Sequence, residues 1–151
     1  MPPQHLQTLF CDDIRHETSG KLTLVGVYSD ALIVPELPAT LPRLCLVARL
    51  IAPLAQPPRS VTLRVFKDDQ LVQEVAARKE DLADMLRAAS HYPAQTRSER
   101  VQIVQFLVEF SPFQLDRPGL LRVHAETDLG RLEGAPLQIS TTPGTGPVTL
   151  Q

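Results

Sequence analysis

The sequence predicts a mainly β protein, an antiparallel, immunoglobulin-like β-sandwich of about seven to nine strands with one short inserted helix near residues 79–89. Three observations lead to this prediction. Short apolar or alternating segments recur along the chain, and turn residues separate them at the spacing typical of a sandwich. Only one segment has helical periodicity, which is too few helices for the crossovers of a parallel sheet. A partly closed β-barrel is the alternative.

The first part of the chain is predicted to contribute four strands. Their apolar segments cover residues 6–14, 22–28, 31–34 and 44–51. The second of these segments is apolar on both faces, which is typical of a central strand that is covered on both sides. A loop that contains Pro35, Pro38 and Pro42 separates the third strand from the fourth.

The helix is predicted to follow a hairpin. Residues 61–67 alternate strictly between apolar and polar, and residues 71–76 return as their partner strand. Residues 79–89 then carry a single apolar stripe at helical spacing. The stripe consists of Leu82, Met85, Leu86 and Ala89. We expect it to pack on a sheet face or to close one end of the sandwich.

Residues 101–110 are predicted to form a long strand that is apolar on both faces. One face carries Val104, Phe106, Val108 and Phe110, and the other carries Val101, Ile103 and Leu107. Two more strands are predicted around residues 121–125 and over 132–139. His124 is expected on a solvated outward face between Arg122 and Glu126. Because Pro136 has no amide proton to donate, 132–139 is predicted to be an edge strand or a bulged one.

The length of 151 residues is typical of one domain, which we assign to residues 1–139, with residues 140–151 as a flexible tail. No segment resembles a secretion signal or a membrane span, so a cytoplasmic protein without membrane contact is expected. With a net charge of −2, the chain lacks the basic surface that is needed to neutralise the phosphates of a nucleic acid. An aromatic content of 5% offers few stacking platforms, so nucleic-acid binding is not expected.

Cys11 and Cys45 lie in predicted strands among apolar neighbours. They are predicted to be buried, reduced thiols, and a cross-strand disulfide is expected only in an oxidising compartment. A zinc site is not expected, because the sequence has no CxxC motif and no histidine close to either cysteine.

The densest group of polar side chains consists of Asp12, Asp13, His16 and Glu17. Carboxylates and an imidazole are ligands for divalent metals and groups for acid–base chemistry. A joint site is disfavoured, because neighbouring residues of a strand project to opposite faces. We expect instead a carboxylate that accepts hydrogen bonds inside the sheet. The expected donors are backbone amides or an arginine, and the sequence does not choose among Arg15, Arg49 and Arg64.

The chain resembles a family of small uncharacterised bacterial proteins, a domain of unknown function. The resemblance is carried by Cys11-Asp12-Asp13-Ile14-Arg15, Gly20-Lys21, Gly26-Val27-Tyr28, Ser111-Pro112-Phe113-Gln114-Leu115, Pro118-Gly119 and Leu121-Arg122-Val123. It covers about residues 6–139, and it implies no reaction, cofactor or partner.

The sequence favours a non-enzymatic interaction or structural module, because it combines a strong core pattern with no catalytic motif. The expected partner is another protein or a second copy, joined through an exposed sheet edge. No catalytic residue and no cofactor are predicted. The alternative is a small metal-dependent enzyme that uses Asp13, His16 and Glu17, or a small-ligand-binding protein with its site in the same region or between the sheets.

Overall fold

The structure is a computed structural model that describes residues 4–97, 99–142 and 147–150. Strands contain 55% of the described residues and helices contain 11%, which confirms a mainly β fold consistent with a β-sandwich. The predicted flexible tail, 140–151, lies partly outside the described residues, at 143–146 and 151, and stays a prediction. In chain order the elements are β1 (His5–His16), β2 (Leu22–Val27), β3 (Ala31–Ile33), β4 (Ala39–Leu41), β5 (Leu44–Pro53), β6 (Val61–Lys67), β7 (Gln70–Ala76), α1 (Lys79–Ser90), α2 (Ala94–Arg97), β8 (Val101–Phe110), β9 (Phe113–Leu115), β10 (Gly119–Thr127), β11 (Gly130–Glu133) and β12 (Leu137–Ser140).

Two sheets form the sandwich. Sheet 1 has the strand order β2-β1-β5-β8, and each neighbouring pair is antiparallel. Sheet 2 has the order β3-β12-β10-β6-β7, with β11 also paired to β10. Strands β3 and β12 run parallel, and the remaining pairs of sheet 2 are antiparallel. Strands β4 and β9 form a separate pair, and the sheets do not close into a barrel.

The core lies between the two sheets, where alternate residues of each strand point inward. Side chains from both sheets join in one apolar cluster. Its largest fully buried members are Leu32, Leu44, Leu46, Leu50, Leu63, Leu115, Leu121, Leu137, Ile139, Val61, Val65 and Val123. Strand β5 occupies the middle of sheet 1, with β1 on one side and β8 on the other.

Helix α1 lies beside β8 at one edge of the sandwich, where β7 ends the facing sheet. Leu82 is buried, and Met85 packs against the core cluster. A groove between the helix and β8 is lined by Met85, Ile103 and Phe106 among other residues. The predicted helix is therefore confirmed, and its apolar stripe covers an edge of the sandwich rather than the outer face of sheet 1.

Strand β2 is an edge strand, so the prediction of a central strand covered on both sides is wrong. Among the strands that the structure describes, it pairs with β1 alone, and Val25 and Val27 on its outer face are exposed. The pattern implied a protein layer over each face of the sheet. Within the described residues, the fold places such a layer on the inner face only.

The predicted strand 132–139 is interrupted at Gly134-Ala135-Pro136, which separates β11 from β12. The chain turns towards β1 there, and the Thr8 hydroxyl donates a hydrogen bond to the Ala135 carbonyl at 2.9 Å. Strand β11 is an edge strand, as predicted for this segment. Strand β12 lies between β3 and β10, so the edge prediction is wrong for that half.

Three short elements were not predicted, namely β4, β9 and α2. Strands β4 and β9 have three residues each and stand beside prolines, where an apolar pattern is too short to recognise. The sequence also placed Pro53 outside the strands, whereas it is the last residue of β5, paired with Val101. Strands β4 and β9, together with the division of the predicted strand 132–139 into β11 and β12, raise the number of strands to twelve among the described residues.

Candidate functional site

The most distinctive surface of the molecule is the outer face of sheet 1, which we call the apolar face. Strands β1, β2, β5 and β8 direct alternate residues outward there. Its exposed large side chains are Leu9, Val25, Val27, Val101, Ile103 and Leu107. Burying such surface is favourable and leaving it in water is not, so an apolar face of this kind indicates a surface that meets a partner.

The strand register arranges this face in rows. Val47 of β5 lies between Leu9 of β1 and Leu107 of β8, and together they form an apolar middle row. Val47 itself is buried, because its neighbours on both strands shield it laterally. Two residues along β5, Arg49 lies between Gln7 and Gln105. Within the described residues, Arg49 Nε is one of the few buried polar atoms that make no hydrogen bond.

One end of the apolar face is bounded by a charged bridge. The Arg43 guanidinium donates to the Asp13 carboxylate of β1 at 2.7 Å and pairs with Glu109 of β8 at 2.6 Å. It thereby spans β5, next to Cys45. The hydrogen bond from Arg43 lowers the pKa of Asp13 below its ordinary value, with a further contribution from the Ile14 amide. A charged rim around an apolar centre is typical of protein interfaces.

The outer face of sheet 2 has the opposite character. The Arg64 guanidinium bridges Glu74 of β7 and Glu126 of β10, and Arg131 pairs with Glu133 at 2.9 Å on β11. The two pairs of Arg64 are cross-strand and the Arg131 pair lies within one strand, and pairs of opposite charge suit a sheet surface that faces water. The sandwich thus has one outer face with a charged ladder and another that is mostly apolar.

His124 lies on the charged outer face of sheet 2, as its strand position predicts, but it is not solvated. Its exposed fraction is 6%, and its ring lies 5.1 Å from the Phe66 ring, centroid to centroid. Burial lowers the pKa of His124, and the positive charge of Arg131 lowers it further. The expected solvated position is therefore wrong, because long side chains of the neighbouring strands cover the imidazole.

The predicted acidic group does not form one constellation. The Asp12 carboxylate accepts a hydrogen bond from the Tyr28 hydroxyl at 2.6 Å, on the side opposite to Asp13. Glu17 accepts one from the Thr23 hydroxyl at 2.9 Å. Asp13 and His16 do line one shallow cleft of about 150 Å³, together with Arg43 and other residues.

Within the described residues, no group of three or more His, Cys, Asp and Glu side chains is placed to hold a metal ion. The expected backbone hydrogen bond is present, because the Ile14 amide donates to the Asp13 carboxylate at 2.9 Å, but the expected arginine partners are wrong. Arg43 binds Asp13, although the sequence nominated Arg15, Arg49 and Arg64. Strand register decides which arginine reaches the carboxylate, and spacing along the chain does not give that register.

Residues that carry the sequence resemblance meet at the β1–β2 hairpin. Gly26 has a φ of 69°, and a Cβ at this position would collide with the Asp12 side chain. Glycine alone adopts this left-handed conformation without strain and leaves room for the carboxylate. Burial and the bond to Asp12 raise the pKa of Tyr28. Asp12, Gly26 and Tyr28 therefore fix the hairpin, which is a structural role.

Cys11 and Cys45 are buried and unbridged, as predicted. They face each other across β1 and β5, in the row next to the apolar middle row. Burial raises the pKa of the Cys11 thiol to about 11, and Cys45 adds to that rise. Burial also raises the pKa of Cys45. Thiols of this kind are poor nucleophiles at neutral pH.

The chain matches a family of unknown function, DUF6941, over residues 6–140. It belongs to that family. The resemblance drawn from the sequence is confirmed to this extent, and membership brings no activity with it. No curated protein and no solved structure shows a match to the chain. No helix in the described part of the chain is both long and apolar enough to cross a membrane.

The sequence predicts the residues of the apolar face but not their role. Val101, Ile103 and Leu107 form a second apolar face of their strand in the sequence pattern, and β2 is apolar on both sides. Both patterns indicated burial. The topology is needed to show that these second faces belong to one sheet and remain exposed.

Proposed function

We propose that this member of the DUF6941 family is a non-enzymatic protein-interaction module, in the bacterial cytoplasm, that docks through the apolar face. The single observation that carries the proposal is the contrast between the two outer faces. Among the described residues, six exposed large apolar side chains gather on sheet 1, whereas sheet 2 exposes three, Ile33, Leu71 and Leu120, beside its ion pairs. Apolar side chains exposed across several strands are typical of a docking surface.

The sheet face replaces the sheet edge as the proposed contact. Edge pairing uses free backbone groups, but α1 lies beside β8 at one edge of sheet 1 and the other edge is the short strand β2, with six residues. Face packing uses side chains and needs no free edge. The exposed side chains of β1, β2 and β8 are available for it.

The use of the Asp12, Asp13, His16 and Glu17 region as a metal or small-ligand site has less support. Asp13 is bound to Arg43, and Glu17 is bound to Thr23. The cleft beside Asp13, about 150 Å³, is smaller than the roughly 300–1,000 Å³ of common ligand pockets.

A photoreactive amino acid tests the proposed function. Benzoylphenylalanine replaces Leu107 on the apolar face, and in a matched control it replaces Leu120, which has nearly the same exposed fraction (39% and 40%) but lies on the outer face of sheet 2. After irradiation in cells of the native host, we expect a covalent adduct with a polypeptide from position 107 and not from position 120. Absence of an adduct at 107, or equal adducts at both positions, would contradict the proposal.

A further inference from the structure

We propose that the occupant of the apolar face is a second copy of this chain, packed face to face about a two-fold axis; this inference rests on the proposed docking function. The axis lies between the two copies of sheet 1 and runs across the strands at the level of Val47. Each apolar middle row, with Leu9, Val47 and Leu107, then packs against the same row of the other copy. Such an isologous contact closes at two subunits.

The size of the face fits this occupant. Four strands at about 4.8 Å spacing, with central strands of ten residues at about 3.3 Å each, give a face of roughly 600 Å². Two such faces bury about 1,200 Å², which reaches the lower limit of roughly 1,200–2,000 Å² for specific interfaces. Two aligned sheets also pack as the sheets of a sandwich do, with interdigitating side chains about 10 Å apart.

Charge complementarity selects the direction of the axis. An axis across the strands exchanges positions before and after Val47, so Arg49 of one copy lies opposite the row that holds Cys45 and Glu109 in the other. Glu109 is one strand away from the facing Cys45, a lateral distance of about 4.8 Å that an arginine side chain spans. A carboxylate of the second copy would then pair with the Arg49 guanidinium, whose Nε makes no hydrogen bond to the described residues of its own chain. The pairing occurs twice, once for each copy.

Self-association of the purified full chain provides the first test. Sedimentation equilibrium from about 1 to about 300 μM should show a monomer–dimer equilibrium, and Leu107→Glu should weaken it by roughly tenfold or more, since each dimer would bury two unpaired carboxylates. Leu120→Glu is the matched control and should leave the equilibrium unchanged. A monomer at every concentration, or equal effects of the two variants, would overturn the proposal.

A charge exchange tests the two-fold arrangement. Arg49→Glu alone sets two carboxylates against each other at both contacts, and Glu109→Arg alone sets two guanidinium groups against each other there, so each variant should associate more weakly than the wild type. A mixture of the two variants forms a mixed dimer with two different contacts. At one contact, the carboxylate introduced at position 49 meets the guanidinium introduced at position 109. At the other contact, Arg49 and Glu109 meet as in the wild type. The mixture should therefore associate more strongly than either variant alone. Far-ultraviolet circular dichroism checks that each variant is folded. A mixture no stronger than its components would contradict the arrangement.

The two proposals fail in different ways. A chain that stays monomeric when pure, yet forms adducts from position 107 with another polypeptide, overturns the second copy as occupant and leaves the docking function standing. A chain that forms no adduct from position 107 overturns the docking function itself. Adducts of twice the chain's mass that contain only this chain support both.

Discussion

Single residues on the outer faces show how neighbours change the properties of a side chain. His124 points away from the core, yet Phe66 and the long side chains around it bury the imidazole. Its pKa is therefore lowered by desolvation, with Arg131 acting in the same direction. In the strand register the imidazole lies between Arg64 and Glu133, where it separates charged side chains and packs at a tilt against Phe66.

This environment predicts a pH dependence of stability. The pKa of His124 in the folded protein lies below its ordinary value of 6.5. The stability that the neutral imidazole contributes is therefore fully present above pH 6.5, and it is lost as the pH falls through the folded pKa. One proton changes the free energy of unfolding by at most about 1.4 kcal/mol per pH unit. His124→Phe keeps an aromatic ring beside Phe66 but cannot titrate. Urea unfolding between pH 7 and pH 5 should show a shallower decline for this variant than for the wild type. An identical decline in both proteins would contradict the assignment.

At the scale of elements, the sequence predicts those strands and helices that a local residue pattern determines. The alternation of β6 and β10, the stripe of α1 and the long strand β8 were all recognised, because each is set by residues close in the chain. Strands β4 and β9 were missed because three residues carry too little pattern. The break at Gly134-Ala135-Pro136 is larger than the bulge that Pro136 predicts, because it also depends on the approach of Thr8, which is remote in sequence.

The candidate site was predictable as residues but not as a surface. A second apolar face on β2 and on β8 has two explanations, cover by the same chain or cover by another molecule. Periodicity does not distinguish them, because both require burial in the final assembly. Register also fixes which side chains meet, and it joins Asp13 to Arg43 across separate elements. Only tertiary structure supplies that information.

Adjacent residues of β10 give a direct test of which face is buried. Leu121 points into the core and is fully buried, whereas its neighbour Leu120 points outward and is 40% exposed. Leu121→Ala should lower the free energy of unfolding by about 2–5 kcal/mol, because it leaves a cavity among packed side chains. Leu120→Ala, which leaves no cavity, should lower it by less than about 1 kcal/mol. Urea denaturation of both variants checks this, and similar losses would contradict the orientation of β10.

At the scale of the whole molecule, the two sheets share a buried core and present two different outer faces, one charged and one apolar. The charged outer face of sheet 2 suits contact with water, and the apolar face of sheet 1 is the one that we propose for association. The charged bridge of Arg43 with Asp13 and Glu109 borders the apolar face at one end. Association would make sheet 1 an inner layer, covered on both faces, as the sequence of β2 implies.

In the proposed dimer, the apolar face of one copy packs on the apolar face of the other. Isotope-filtered nuclear Overhauser spectroscopy on an equal mixture of labelled and unlabelled chains tests this contact, because it detects only contacts between copies. We expect intermolecular cross-peaks from the methyl groups of Leu9, Val47 and Leu107, and none from Leu120. Intermolecular cross-peaks confined to sheet 2, or none at a concentration where the chain is dimeric, would contradict it.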